Sequence, residues 1–195
     1  MATRTGERKL QILQTLAEML QEPKGERITT AALAAKLQVS EAALYRHFAS
    51  KAQMFEGLIE FIETTLFGLI NKIQADETDA IKQVHAIIAV LLTFAEKNPG
   101  MTRVLIGDAL VNEDDRLQAR INQLQDRLET TLKQSLRVAG AAGEAPPAPE
   151  GEPDDTAARA NALLCYVIGK WHQFAKSGFK RRPAENWDRQ WPHLI

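Results

Sequence analysis

Ser40, Tyr45, His47 and Lys51 carry hydroxyl, phenol, imidazole and ammonium groups, interleaved with the small side chains of Ala42 and Ala43. Polar groups of this kind meet phosphate oxygens, and such contacts position a protein on a duplex without reading its sequence. Small side chains at the start of a helix let its backbone approach base edges in the major groove. The chemistry implied is therefore recognition, with Tyr45, His47 and Lys51 reaching phosphates on either side. Taken singly, Tyr45 and His47 could equally cap the core of a small helical bundle. Two capped helices at this spacing favour DNA.

The elements that must position these residues are legible from Arg27 to Phe55. Thr29 and Thr30 can accept hydrogen bonds from the orphan N–H groups of a helix start, and Leu33 and Leu37 repeat four residues apart. The pattern breaks at Gln38-Val39. Ser40 offers a second N-cap before Glu41, whose carboxylate suits the positive end of a helix. Leu44 and Phe48 then pack inward, leaving Ser40, Ala42, Ala43, Tyr45, Arg46 and His47 facing outward. This is a helix-turn-helix. Upstream, Leu10, Leu13, Leu16, Ala17 and Leu20 form the apolar stripe of a supporting helix that ends near Pro23-Lys24-Gly25. Arg4, Arg8 and Lys9 form a basic arm, either lying along a phosphate backbone or simply solvated. Downstream, Ser50 and Gln53 match a capping box that opens a further helix at Lys51.

The run LYRHFASKAQMF, an aromatic residue and a short polar link leading through Lys51 into a long helix, resembles the TetR family of bacterial transcription factors. The strings SEAALYRHF, LIEFIE, NPGMTRVLIGDAL and DRLQARINQL extend the resemblance to the nucleoid-occlusion branch of that family over almost the whole chain, weakening at the first residues and across 140–155. The resemblance implies an all-α, TetR-like fold: a three-helix helix-turn-helix domain over residues 1–52 and a helical dimerisation and partner-binding or regulatory domain over 53–195. It implies homodimers, alone or paired, gripping palindromic double-stranded DNA through Thr29, Thr30, Ser40, Ala42, Ala43, Tyr45, His47 and Lys51. It further implies that the C-terminal tail of the division protein FtsZ is taken into a groove formed by Phe61, Leu69, Val90, Thr93, Phe94, Lys97 and Asn98. In that groove Lys97 would meet a peptide carboxylate and Asn98 its backbone. The chain departs from the branch's pattern at three positions: Leu69 stands where a basic residue is expected, and Val90 and Thr93 replace Leu and Gly.

Composition agrees. A chain of 195 residues with 45% hydrophobic residues can bury a substantial core. Residues 1–56 hold eight Lys/Arg against six Asp/Glu, and the remainder 16 against 19. The asymmetry has the sign of a DNA-binding head on a near-neutral body. No apolar run is long enough to cross a bilayer, and no signal-peptide core is present. The expected location is the cytoplasm, on the nucleoid.

The rest reads as helix. Phe55, Leu58, Ile62, Leu66, Leu69 and Ile73 make one stripe, predicting a connecting helix from about Lys51 to Ala75, with Phe61 and Phe67 on a second face. Thr78 and Asp79 cap a central helix, apolar on more than one face, that stops at Asn98-Pro99-Gly100. A shorter helix follows over 101–111. Leu117, Ile121, Leu124, Leu128, Leu132 and Leu136 mark a long helix between Asp114 and Val138, with Gly140 as its stop. Residues 139–155, AGAAGEAPPAPEGEPDD, read as a mobile loop. Thr156 starts the last long helix, with Ala160, Leu163, Leu164, Val167, Ile168, Trp171 and Phe174 on its apolar face. Two such amphipathic helices suit an intermolecular four-helix bundle. A twofold pair is needed to set two recognition helices one DNA turn apart.

Catalysis has little support. His47, His85, His172 and His193 lack metal-ligand spacing, Cys165 reads as a core thiol, and no Gly-rich phosphate loop occurs. No cofactor or metal is expected. Two classes of function remain: a repressor whose small-molecule inducer shifts the separation of its recognition helices, and an interaction protein that uses DNA as its address. The family resemblance favours the second.

Overall fold

A computed structural model describes residues 4–22, 28–143 and 155–195. The described residues are helical with no strand: α1 (Arg4–Met19), α2 (Thr30–Lys36), α3 (Glu41–Tyr45), α4 (Lys51–Asp76), α5 (Ala80–Lys97), α6 (Pro99–Leu105), α7 (Asp115–Ala142), α8 (Thr156–Lys176) and α9 (Trp187–Gln190), with 3-10 turns at Asp108–Leu110 and Trp191–His193. The chain divides into two compact units. Unit one is Met1–Ile62 with Asn98–Ile121, and unit two is Glu63–Lys97 with Asn122–Ile195. The division falls ten residues beyond the domain boundary read from the sequence, and it assigns α6 to the unit that holds the helix-turn-helix. α4 and α7 each run unbroken through it.

In unit one, α1 packs on α2 and α6, and α2 on α3. The buried face of α1 is Ile12, Leu16, Ala17 and Leu20, whereas Leu10 is 44% exposed. Leu16, Ala17 and Leu20 are buried as expected, Leu13 is half-buried, and Ile12 takes the place of Leu10. Arg8 and Lys9 lie within α1 and not on a free arm; Lys9 sits 5.5 Å from the centre of the Phe48 ring. Pro23-Lys24-Gly25, the expected end of this helix, lies outside the described residues. α6 begins two residues earlier than predicted, since proline at the first helical position loses no hydrogen bond. A Cβ at Gly100 would stand 1.9 Å from the carbonyl oxygen of Ala17. Gly100 is therefore a close-approach residue between α1 and α6, beyond its service to a turn.

In unit two, α5 and α8 form the principal contact. Trp171 of α8 is fully buried, and its Nε1 donates to the carbonyl of Leu91 at 3.1 Å, so the indole N–H does not go unsatisfied in the core. The six leucine and isoleucine positions predicted on α7 are all buried. α7 continues through Gly140 to Ala142, and Gly143, at φ 71°, follows its end. The loop expected over 139–155 therefore starts later, and 144–154 lie outside the described residues. Along α4, Phe55, Leu58, Ile62 and Leu66 are buried as expected, and the series continues at Ile70. Leu69, expected on that stripe, is 42% exposed, and Ile73 is half-buried. Phe67 is covered by the Arg127 guanidinium, 3.9 Å from its ring centre. Cys165, read as core, is exposed on α8.

The sequence reading did not reach the segment after α8. There His85 stacks on Trp187 at 5.1 Å, Trp191 meets His85 edge-on at 5.3 Å, and Asp188 reaches the His85 Nε2 at 3.2 Å. Tyr166 donates its hydroxyl to Gln190 at 2.6 Å, and burial raises its pKa.

Candidate functional site

Each helix of the motif is started by a side-chain cap. Thr29, with extended backbone, accepts from the Ala32 N–H at 3.1 Å, and Ser40 from the Ala43 N–H at 3.3 Å. Such caps stabilise a helix by about 1 kcal/mol, a large share for elements of seven and five residues. Between them the turn closes with Gln38 N–H to the Ala35 carbonyl and Val39 N–H to that of Ala34, both 3.0 Å. That paired geometry places Gln38 at φ 56°, in the left-handed region. Leu33 and Leu44, each 1% exposed, hold α2 and α3 to the core.

A polar link fixes α3 against α2. The Thr30 hydroxyl donates to a Glu41 carboxylate oxygen at 2.6 Å, and Tyr45 OH donates to the Thr30 hydroxyl oxygen at 3.4 Å. Thr30 thus aims the recognition helix. Ser40, Ala42 and Tyr45 are exposed, Ala43 and His47 half-buried. The Nδ1 of His47 is buried without a hydrogen-bond partner. Arg46, absent from the expected contact set, is exposed next to Tyr45 and has no ion-pair partner among the described residues. Its signal was only its place among the outward residues of α3.

Lys51 has a partner within the protein. It opens α4 behind a capping box in which Gln53 N–H meets the Ser50 hydroxyl at 3.2 Å and Ala49 N–H meets the Gln53 side chain at 2.9 Å. Its ammonium, however, is held by the Glu113 carboxylate, with side-chain exposures of 20% and 9%. The ion pair lies within unit one, and Arg46, directly after Tyr45, is a further exposed cation.

The expected peptide-contact residues are distributed over both units. Phe61, 40% exposed, and Asn98, which precedes α6, belong to unit one. Leu69, Val90, Thr93, Phe94 and Lys97 belong to unit two. Phe94, at 6% exposure, is part of the core. Within unit two, Leu69, Ile73, Ala86 and Val90 line an open groove of about 310 Å³ between α4 and α5. Lys72, Asp76 and Glu77 also line it. Ile73, Ala86 and these charged residues were not anticipated, although they follow Leu69 and Val90 at helical spacing.

Residues 12–58 match the family described as bacterial regulatory proteins, tetR family, and residues 78–195 the tetracyclin repressor-like C-terminal domain of SlmA-like type. The chain belongs to the TetR family. Two relatives named nucleoid occlusion factor SlmA place it in that branch. One, from Alteromonas mediterranea, is 53% identical, the match covering 97% of this chain and 95% of the relative. The other, from Idiomarina loihiensis, is 52% identical over 98% and 95%. Among solved structures, the TetR-family regulator PfmR from Thermus thermophilus superposes with a TM-score of 0.76 over 94% of this chain and 96% of its own, at 22% identity. TetR-family membership makes the chain a DNA-binding regulator and not an enzyme. Among the described residues no helix is long and apolar enough to cross a membrane.

Proposed function

We propose that this TetR-family protein is a nucleoid occlusion factor. It binds palindromic chromosomal sites as a homodimer and, bound there, captures the C-terminal tail of FtsZ and hinders assembly of the division ring over DNA. The DNA-binding half of this reading is carried by one observation: a recognition helix whose exposed, small-residue start is held in place by the Thr30, Glu41 and Tyr45 bonds. Ser40, Ala42, Ala43, Tyr45, His47 and Arg46 contact DNA in this reading, Thr29 and Thr30 present the helix, and Lys51 serves the fold.

The partner half rests on the resemblance to the nucleoid-occlusion branch and is supported by the open apolar groove between α4 and α5. In this reading Leu69, Val90, Thr93 and Lys97 line the tail's path within unit two, with Phe94 supporting from beneath. The continuous α4 joins the capping box beside the recognition helix to the groove, a physical route for DNA binding to bias tail binding.

The test is selection of duplexes from a random pool by the purified protein, followed by footprinting. Two symmetric half-sites one helical turn apart, lost together in Tyr45→Ala, are the expected result. Protection of a single asymmetric half-site by a monomer would overturn the twofold reading. Release of the selected DNA by a small molecule, with no FtsZ-tail binding, would favour the inducible repressor.

A further inference from the structure

The groove in unit two is charged at the α4–α5 turn. Its floor is apolar, Leu69 and Ile73 from α4 opposite Ala86 and Val90 from α5. At the α4–α5 turn its wall is Asp76 and Glu77, with Lys72 one turn earlier. Two carboxylates against one ammonium leave that end net negative, and the last carbonyls of α4 add partial negative charge. The next charges along the chain cancel, because Lys82 reaches Asp79 at 3.1 Å. Glu77 is fixed in place: its carboxylate accepts from the Asp79 N–H at 3.0 Å, and its carbonyl from the Gln83 side chain at 2.6 Å.

Past the groove, the same face of α5 carries a positive charge. Ala86, Val90, Thr93 and Lys97 follow at four-, three- and four-residue steps along one face of α5. Lys97 is exposed and has no ion-pair partner among the described residues. α5 has 18 residues, a length of about 27 Å, which roughly eight residues of extended chain would span.

We propose that the groove reads charge order along an extended peptide, a reading that rests on the groove being the site of tail capture. An apolar side chain seats over Leu69, Ile73, Ala86 and Val90. A basic side chain on one flank meets Asp76 and Glu77, and an acidic one on the other flank meets Lys97. Asp76 and Glu77 are the new specificity residues. A groove of one polarity would attract any oppositely charged tail; a bipolar one rejects a tail acidic at both ends, because like charges meet at the turn.

The test uses the full-length protein and two fluorescent decapeptides with a common apolar centre. One carries two Asp residues at one end and two Lys at the other; its twin has the Lys pair changed to Glu. Anisotropy should show the first binding about tenfold tighter, the scale of two exposed ion pairs exchanged for repulsions. The double variant Asp76→Lys, Glu77→Lys should reverse the preference. Equal binding, no binding by either peptide, or a preference that the reversal leaves untouched overturns the proposal. Self-association abolished by the same reversal would seat a second copy there and overturn it as well. Val90→Asp separates the two readings. If it leaves FtsZ-tail binding intact, the groove is not the tail's site; if it abolishes tail binding while the charge reversal changes nothing, the charge-order assignment alone fails.

Discussion

Replacing Lys51 with Met separates two roles that the residue could have on DNA. The Lys51–Glu113 pair is neither exposed nor sealed, at 20% and 9% side-chain exposure. Removing one partner of a fully buried pair costs about 3–5 kcal/mol, and exposed pairs are worth about 0–1 kcal/mol. Lys51→Met should therefore cost about 2 kcal/mol in chemical denaturation, because the ion pair with Glu113 is lost. Adding Glu113→Gln should recover most of that loss. On DNA the outcome differs from that of a phosphate contact. Each neutralised phosphate contributes about 0.9 to the slope of log affinity against log salt concentration. With its ammonium on Glu113, Lys51 contributes none, so the slope measured by anisotropy at several salt concentrations should be unchanged in Lys51→Met. A slope flattened by about 0.9, with stability unaltered, would show that the ammonium leaves Glu113 for the duplex and would refute the argument.

Three further outcomes follow from the geometry. Arg46→Ala should flatten the same salt slope by about 0.9 and weaken binding evenly across operators; an unchanged slope removes Arg46 from the contacts. Gly100→Ala should destabilise the protein by about 3 kcal/mol in urea, since its Cβ meets backbone at 1.9 Å and no rotamer change can relieve it; a loss under about 1 kcal/mol would mean that α1 and α6 separate readily. The carboxyls of Asp79 and Asp114 are held below the usual aspartate range, Asp79 through hydrogen bonds from the Lys82 backbone and side chain, and Asp114 through those from the Arg116 side chain and backbone. A carboxylate depressed in the folded state stabilises fully above its unfolded pKa and loses that contribution as pH falls through the folded value. Changing both to Asn should therefore reduce the fall in stability below about pH 4, read as a flatter acid limb of the melting profile.

What could be read from the chain was what is decided within a few residues. Thr29, Ser40 and the Ser50–Gln53 box act on N–H groups three or four positions away, so the helix starts of the motif were legible. Phase was less so: Leu69 and Ile70 differ by one residue, or about 100° on a helix, and both are apolar, so only packing chose Ile70 for the core and left Leu69 in the groove. Gly140 could not be told from a stop, because α7 tolerates a glycine at a position where a Cβ would meet open space. Lys51 looked like a phosphate ligand because Glu113 lies 62 residues away. The contact of Gly100 with Ala17 and the assembly of His85, Trp187 and Trp191 are long-range in the same sense. Of the groove, the sequence supplied Leu69 and Val90, while the charged end at Asp76 and Glu77 required the path of the α4–α5 turn.

The most direct measurement is the affinity of the purified protein for a fluorescent FtsZ C-terminal tail peptide, with and without its selected duplex. The account predicts saturable binding that tightens severalfold when DNA is present and disappears in Val90→Asp. No tail binding in either state, or equal binding in native and Val90→Asp proteins, would contradict it.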